Sequence, residues 1–139
     1  MKLRYDFIAG PDDKTLHEIM SLFEESGWAE GEPAEFYRRM IGGSVCFLIA
    51  RYGGETVGMA RAIGDGVNDA YIQDVFVAPA CRRRGIAAEL VRRLVAELKT
   101  RGLSWIALVA SGGTDSLYRR CGFEKMRDCT PMIHGSAVY

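Results

Sequence analysis

Anion chemistry is what the residue types of this chain offer first. The run Val75-Phe76-Val77-Ala78-Pro79-Ala80-Cys81-Arg82-Arg83-Arg84-Gly85-Ile86-Ala87-Ala88 reads as an apolar strand, a proline stop, a basic turn and a helix start. The first turn of a helix carries unpaired N–H groups and the positive end of the macrodipole, so an anion is stabilised there without special side chains. Gly85 and Ala87 leave the approach clear, and Arg82, Arg83 and Arg84 add guanidinium forks that match phosphate oxygens. The same triplet is compatible with a nucleic-acid patch or a solvated helix entry.

Two elements must hold this turn. Tyr71, Ile72, Val75, Phe76 and Val77 supply a β-rich run that ends at Pro79, which cannot donate to a ladder. From Gly85, the apolar residues Ile86, Ala87, Leu90, Val91, Leu94, Val95 and Leu98 recur at helical spacing, with Gly102 as a left-handed stop. Around this centre the spacing predicts a strand from Leu3 to Ala9, a helix capped by Asp12 or Asp13, and a second helix opened by Pro33. Strands at 45–52 and 55–63 follow, joined by a hairpin at Gly53-Gly54. Beyond the long helix come a strand at 104–110, parallel to the first through a crossover, and a short helix at 116–120. A strand from Phe123 to Arg127 is expected next, then a last one within Pro131 to Tyr139.

The spacing Arg82-x-x-Gly85-x-Ala87 between strand and amphipathic helix resembles the acetyl-CoA signature of the GNAT family of N-acetyltransferases. Tyr118, Gly122 and Phe123 likewise resemble the family's Tyr-x-x-x-Gly-Phe. The resemblance is specific over about residues 70–127 and implies an α/β (α+β) mixed sheet in a single acyl-CoA N-acyltransferase domain, residues 1–139.

It implies acetyl-CoA as cosubstrate and an amine as acceptor. The backbone of Val75 and Val77 would bind pantetheine and the amides from Arg83 to Ala88 the pyrophosphate, while an amide near Phe76 would polarise the acetyl carbonyl. Tyr118 would protonate the departing sulfur; a phenol, with an ordinary pKa of about 10, keeps its proton at neutral pH. Asp74 is the first candidate to take the amine's proton, with Tyr71 or a water chain as alternatives, and Asp74 could instead orient a loop. Where relatives place an asparagine after the parallel strand this chain has Ala110-Ser111-Gly112-Gly113, so that contact would fall to Ser111 or the backbone. By position alone, Trp28, Tyr37 and Arg61 join Asp74 as acceptor-site candidates. The alternatives are core packing for the two rings and a surface location for Arg61.

Charge is segregated: 7 basic and 13 acidic residues precede residue 82, against 11 and 5 from there on. This suits a polyphosphate on the second half and a cationic acceptor on the first. The expectation is direct transfer to a small cationic primary amine, with a peptide acceptor or a non-catalytic acetyl-CoA sensor as rivals. A covalent step through Cys81 or Cys121 is disfavoured. Zero net charge and the lack of aromatic residues among the arginines argue against nucleic acid, and no apolar run approaches a membrane span of about 20 residues. Cys46, Cys81, Cys121 and Cys129 form no C-x-x-C pair, and only His17 and His134 exist, so no metal is expected. With no export signal visible at Met1 to Asp6, the expected setting is cytoplasmic, as a monomer or homodimer.

Overall fold

A computed structural model describes residues 2–135. The chain runs β1 (Leu3–Ile8), α1 (Asp13–Ser26), α2 (Ala34–Gly42), β2 (Cys46–Tyr52), β3 (Glu55–Gly64) and β4 (Asp69–Val77). A 3-10 turn (Pro79–Cys81), α3 (Ile86–Thr100), β5 (Trp105–Leu108) and α4 (Asp115–Arg120) complete it. The five strands stand in chain order, antiparallel except for the parallel pair β4 and β5. Only that last pairing needs a crossover, and α3 supplies it.

Each face of the sheet has its own core. On one, Ile86, Leu90, Val91, Leu94 and Leu98 of α3 lie over Leu48, Ala50, Ala60, Ala62, Ala70, Ile72 and Val77. Gly58 lets the helix come close: a Cβ there would stand 3.3 Å from Ile86 Cγ2 and from Leu90 Cδ1. On the other, Leu16, Ile19, Leu22 and Phe23 of α1 and Tyr37 and Ile41 of α2 cover Phe47, Ile49 and Met59. The alternation along β2 and β3 from Gly58 on, odd residues to one core and even residues to the other, is the period of two written in their sequence; a register shift beside Ala50 puts Val57 in the α3 core. Leu94 is fully buried, so Leu94→Ala should cost about 2–5 kcal/mol of stability in a denaturant titration.

Helix ends follow the sequence signals. Asp12 caps α1, its Oδ1 accepting from Thr15 N at 2.8 Å, and Gly27 ends that helix in the left-handed conformation. One strand expectation fails, and the tail expectation is tested only in part. Residues 123–127 form no strand, because Gly122 N and Phe123 N are used to close α4, on Arg119 O and Tyr118 O. Glu124, Lys125 and Arg127 also leave Phe123 and Met126 three residues apart, which breaks the alternation a strand needs. Residues 131–135 form no strand either, and 136–139 lie outside the described residues. Among the described residues no helix is long and apolar enough to cross a membrane.

Candidate active site

The basic turn delivers α3 with its N-terminus uncapped. Gly85 is the N-cap residue at φ +75°, where glycine carries no Cβ penalty, and no side chain caps the helix end. The first-turn N–H groups are therefore available to a ligand. A cavity of about 410 Å³ opens over them, lined by Val77, Cys81, Arg82, Arg83, the backbone stretch 85–88, and Leu117 and Arg120 of α4. Leu117 and Arg120 were not anticipated; the sequence signal is that they flank Tyr118 on a short helix whose last turn is basic.

The three arginines divide. Arg82 turns back along β4, its Nε donating to Val77 O at 3.0 Å and its guanidinium lying 5.3 Å from the centre of the Phe76 ring. Arg83, at φ +64°, lines the cavity. Arg84 instead lies over the Tyr52 ring at 5.3 Å, outside the cavity lining. Ile86 is buried under α3, so only its backbone can meet a ligand, whereas Ala87 and Ala88 line the opening.

β4 is paired on both sides only for half its length. Asp69 to Ile72 pair with Trp105 to Leu108, whereas Gln73, Phe76 and Val77 pair with β3 alone. Ala78 N donates to Val57 O at 2.8 Å, so this backbone group faces β3. By alternation Phe76 N–H faces β3 as well, and the N–H and C=O groups of Val75 and Val77 face the open edge. Near Phe76, the amides on the open edge are thus those of Val75 and Val77. The Phe76 ring meets the second core and contributes an aromatic face.

Tyr118 stands on α4, edge-on to Phe123 at 6.1 Å. Burial, with a smaller contribution from Cys121, pushes its phenol pKa above the ordinary value, so the proton stays on through neutral pH. Ser111 serves its own loop: its carbonyl accepts from Thr114 N at 3.0 Å and from Thr114 Oγ1 at 2.7 Å. Cys81 lines the cavity, and the Cys121 thiol points at Ala88 O at 3.7 Å.

The acceptor-side candidates lie on the face opposite α3. Trp28, 45% exposed, packs edge-on to Phe76 at 5.8 Å and to Phe23 at 6.2 Å. Tyr37 does not line a pocket: at 3% exposure it is core, 5.2 Å from the Phe23 ring, and its hydroxyl donates to Glu32 Oε1 at 2.9 Å. Burial and that carboxylate push its pKa up to about 12. Glu32, not anticipated as a site residue, also accepts from Glu30 N at 2.9 Å. That backbone hydrogen bond and the Tyr37 hydroxyl hold its carboxyl below the usual range. Arg61 and Asp74 meet as an ion pair, Nε to Oδ2 at 2.6 Å. Asp65 accepts from Val67 N and Asn68 N, both at 2.8 Å, as a turn residue.

Comparison with known proteins agrees with this architecture. Residues 14–123 match the pattern of the acetyltransferase (GNAT) family. Serotonin N-acetyltransferase 2, chloroplastic, of Oryza sativa subsp. japonica is 42% identical over 133 residues, covering 94% of this chain and 64% of that protein. GCN5-related N-acetyltransferase 2, chloroplastic, of Arabidopsis thaliana is 31% identical over 110 residues, 79% of this chain and 37% of that one. The chain thus spans less than two thirds of the length of these curated relatives. A GNAT-family acetyltransferase from Streptococcus pneumoniae shares the fold at a TM-score of 0.82 and 24% identity, over 97% of this chain and 98% of that one. An acetyltransferase of Clostridium acetobutylicum, crystallised with acetyl-CoA, superposes at 0.72 with 22% identity, over 95% and 96%. With an uncapped helix N-terminus beside a half-open strand, and with the family pattern running through both, the chain belongs to the GNAT family of acetyltransferases.

Proposed function

We propose that this domain moves an acetyl group from acetyl-CoA directly to the primary amine of a small cationic acceptor that carries an aromatic ring. The observation that carries the reading is the open edge of β4. Its Val75 and Val77 backbone groups lie between the anion site at the N-terminus of α3 and the aromatic face of Phe76 and Trp28. An amide-bearing arm attached to a pyrophosphate needs this sequence of partners: helix N–H groups for the phosphates, then strand-edge groups for the amides.

At the acyl group, Val75 N–H accepts the role of oxyanion donor, held by the strand before the reaction begins. The amine nitrogen forms a bond to the acetyl carbon as the carbon–sulfur bond breaks. Tyr118 gives its proton to the departing sulfur and regains one from solvent. The amine's own surplus proton leaves to the solvent bordering Tyr71, which is 40% exposed on the acceptor face.

Acceptor choice follows from the same face. Trp28 and Phe76 offer ring edges and faces to an aromatic substituent. Glu32, tied through Tyr37 into the aromatic stack, gives that face a carboxylate that stays ionised. The rice relative is named for serotonin N-acetylation, and serotonin is an amine of the same chemical class.

The deciding experiment is calorimetric titration with acetyl-CoA followed by thiol release over indolyl- and phenyl-ethylamines, aliphatic diamines, aminoglycosides and peptides. Turnover highest on the arylalkylamines is the expected result. Preference for peptides would move the acceptor to protein, and binding without release would leave a sensor. Trp28→Ala should raise KM for arylalkylamines about 10-fold or more, as expected for loss of an aromatic contact, while leaving acetyl-CoA affinity unchanged.

A further inference from the structure

The irregularity in β4 sets the phase of every residue that follows it. Arg61 pairs with Gln73 and Met59 with Phe76, so the single residue Ala60 stands against both Asp74 and Val75. This is a β-bulge, and it inserts one residue into the strand. Ahead of it Ala70 and Ile72 face α3; behind it Val75 and Val77 face α3, where strict alternation would have placed residues 74 and 76. The extra residue therefore turns Phe76 toward Trp28 and turns the Val75 and Val77 N–H groups out to the open edge.

Asp74 is that residue, and its backbone is at φ +54°, in the left-handed region that side chains other than glycine, asparagine and aspartate rarely enter. A partner holds it there. Arg61 Nε donates to Asp74 Oδ2 at 2.6 Å, and the two side chains are only 18% and 20% exposed. The clamp continues beyond the sheet: Arg61 Nη1 donates to Ser44 Oγ at 3.4 Å, and Ser44 Oγ donates to Met40 O of α2 at 2.8 Å. A one-fifth-exposed, charge-assisted contact anchored at both ends resists the relaxation that would return Asp74 to extended backbone.

We infer that Arg61 and Asp74 are positioning residues. Their ion pair locks the β4 bulge and so aims the Val75 and Val77 N–H groups at the acyl-pantetheine arm, and Asp74 is not the proton acceptor. This rests on the reading of the open edge as the cosubstrate site.

Three variants separate the roles: Asp74→Gly, which accepts φ +54° without a carboxylate; Asp74→Ala, which has neither advantage; and Arg61→Met. Each is titrated calorimetrically with coenzyme A and with its nucleotide portion, 3′-phospho-ADP, which meets the helix N-terminus and has no arm. Asp74→Ala and Arg61→Met should weaken coenzyme A about 10-fold or more, the effect of misdirecting two backbone hydrogen bonds, with nucleotide affinity within about twofold of wild type. Asp74→Gly should keep coenzyme A affinity within about threefold, because glycine needs no clamp to hold the bulge, and should retain the acid limb of the kcat–pH profile.

Wild-type coenzyme A affinity in Asp74→Ala would overturn the inference. So would turnover lost equally in Asp74→Gly and Asp74→Ala at intact affinity, which would make the carboxylate the proton acceptor. A parallel fall in nucleotide affinity would also overturn it, since the pair would then support the domain at large. Failure of the wild-type protein to bind coenzyme A at all is a separate result, and it would remove the cosubstrate reading itself.

Discussion

Gly85→Glu should abolish acetyl-CoA binding, weakening it at least about 100-fold. The new carboxylate would stand at the helix N-terminus where a pyrophosphate belongs, and like charges about 4 Å apart repel by roughly 4 kcal/mol at an effective dielectric near 20. The fold should survive, because a Cβ at Gly85 meets nothing within 4 Å. What remains is backbone strain at φ +75°, about 1–2 kcal/mol for a non-glycine residue. Gly85→Ala carries that strain without the charge and is the control. Calorimetry on both variants, with denaturation midpoints alongside, separates the two effects. Unchanged affinity in Gly85→Glu would dismiss the anion site.

Tyr118→Phe should lower kcat by about 10²-fold or more, the usual worth of a positioned general acid, at nearly unchanged acetyl-CoA affinity. The ring keeps its edge-on contact with Phe123, so only the proton is removed. The pH dependence carries a second signature. Because burial raises the phenol's pKa, the protonated donor is fully present below the ordinary value near 10 and is lost only as pH rises through the higher native value. The wild-type profile should therefore hold its plateau toward pH 10, and whatever alkaline fall belongs to Tyr118 should vanish in the phenylalanine variant. Wild-type turnover in Tyr118→Phe would retire the donor role.

Local patterns were legible, and conformational exceptions were not. The strand, turn and uncapped helix start around Gly85 could be read because strand, proline, glycine and helical periodicity are consecutive, and each has one backbone meaning. The Gly53-Gly54 hairpin and the cap at Asp12 are of the same kind. The bulge at Asp74 left no such mark: an aspartate in a run of strand formers shows neither its positive φ nor its partner 13 residues away. Tyr37 looked like a pocket residue because tyrosine is at home on either side of a surface. Only the packing of α1 on α2 decides that its ring is core and that its hydroxyl is tied to the half-buried Glu32. Arg82 reads as a phosphate ligand by type, and its contact with Val77 O depends on a strand edge that exists only once β5 has turned away. The strand expected at 123–127 failed for a related reason, since its first amide is spent on closing α4.

Strands laid down in chain order have a kinetic meaning. The pairings of β2 with β3 and of β3 with β4 join consecutive strands through short turns and can form as the chain collapses, whereas β1 reaches β2 only across α1 and α2. The four-residue pairing of β5 must wait for α3 to dock across the sheet. Residues 101–123, which include one wall of the cavity, are held to the sheet by its shortest pairing and are therefore expected to open early. A ligand that bridges that wall to β4 would close this seam, and by mass action it would raise the free energy of the local opening above that of the unliganded protein.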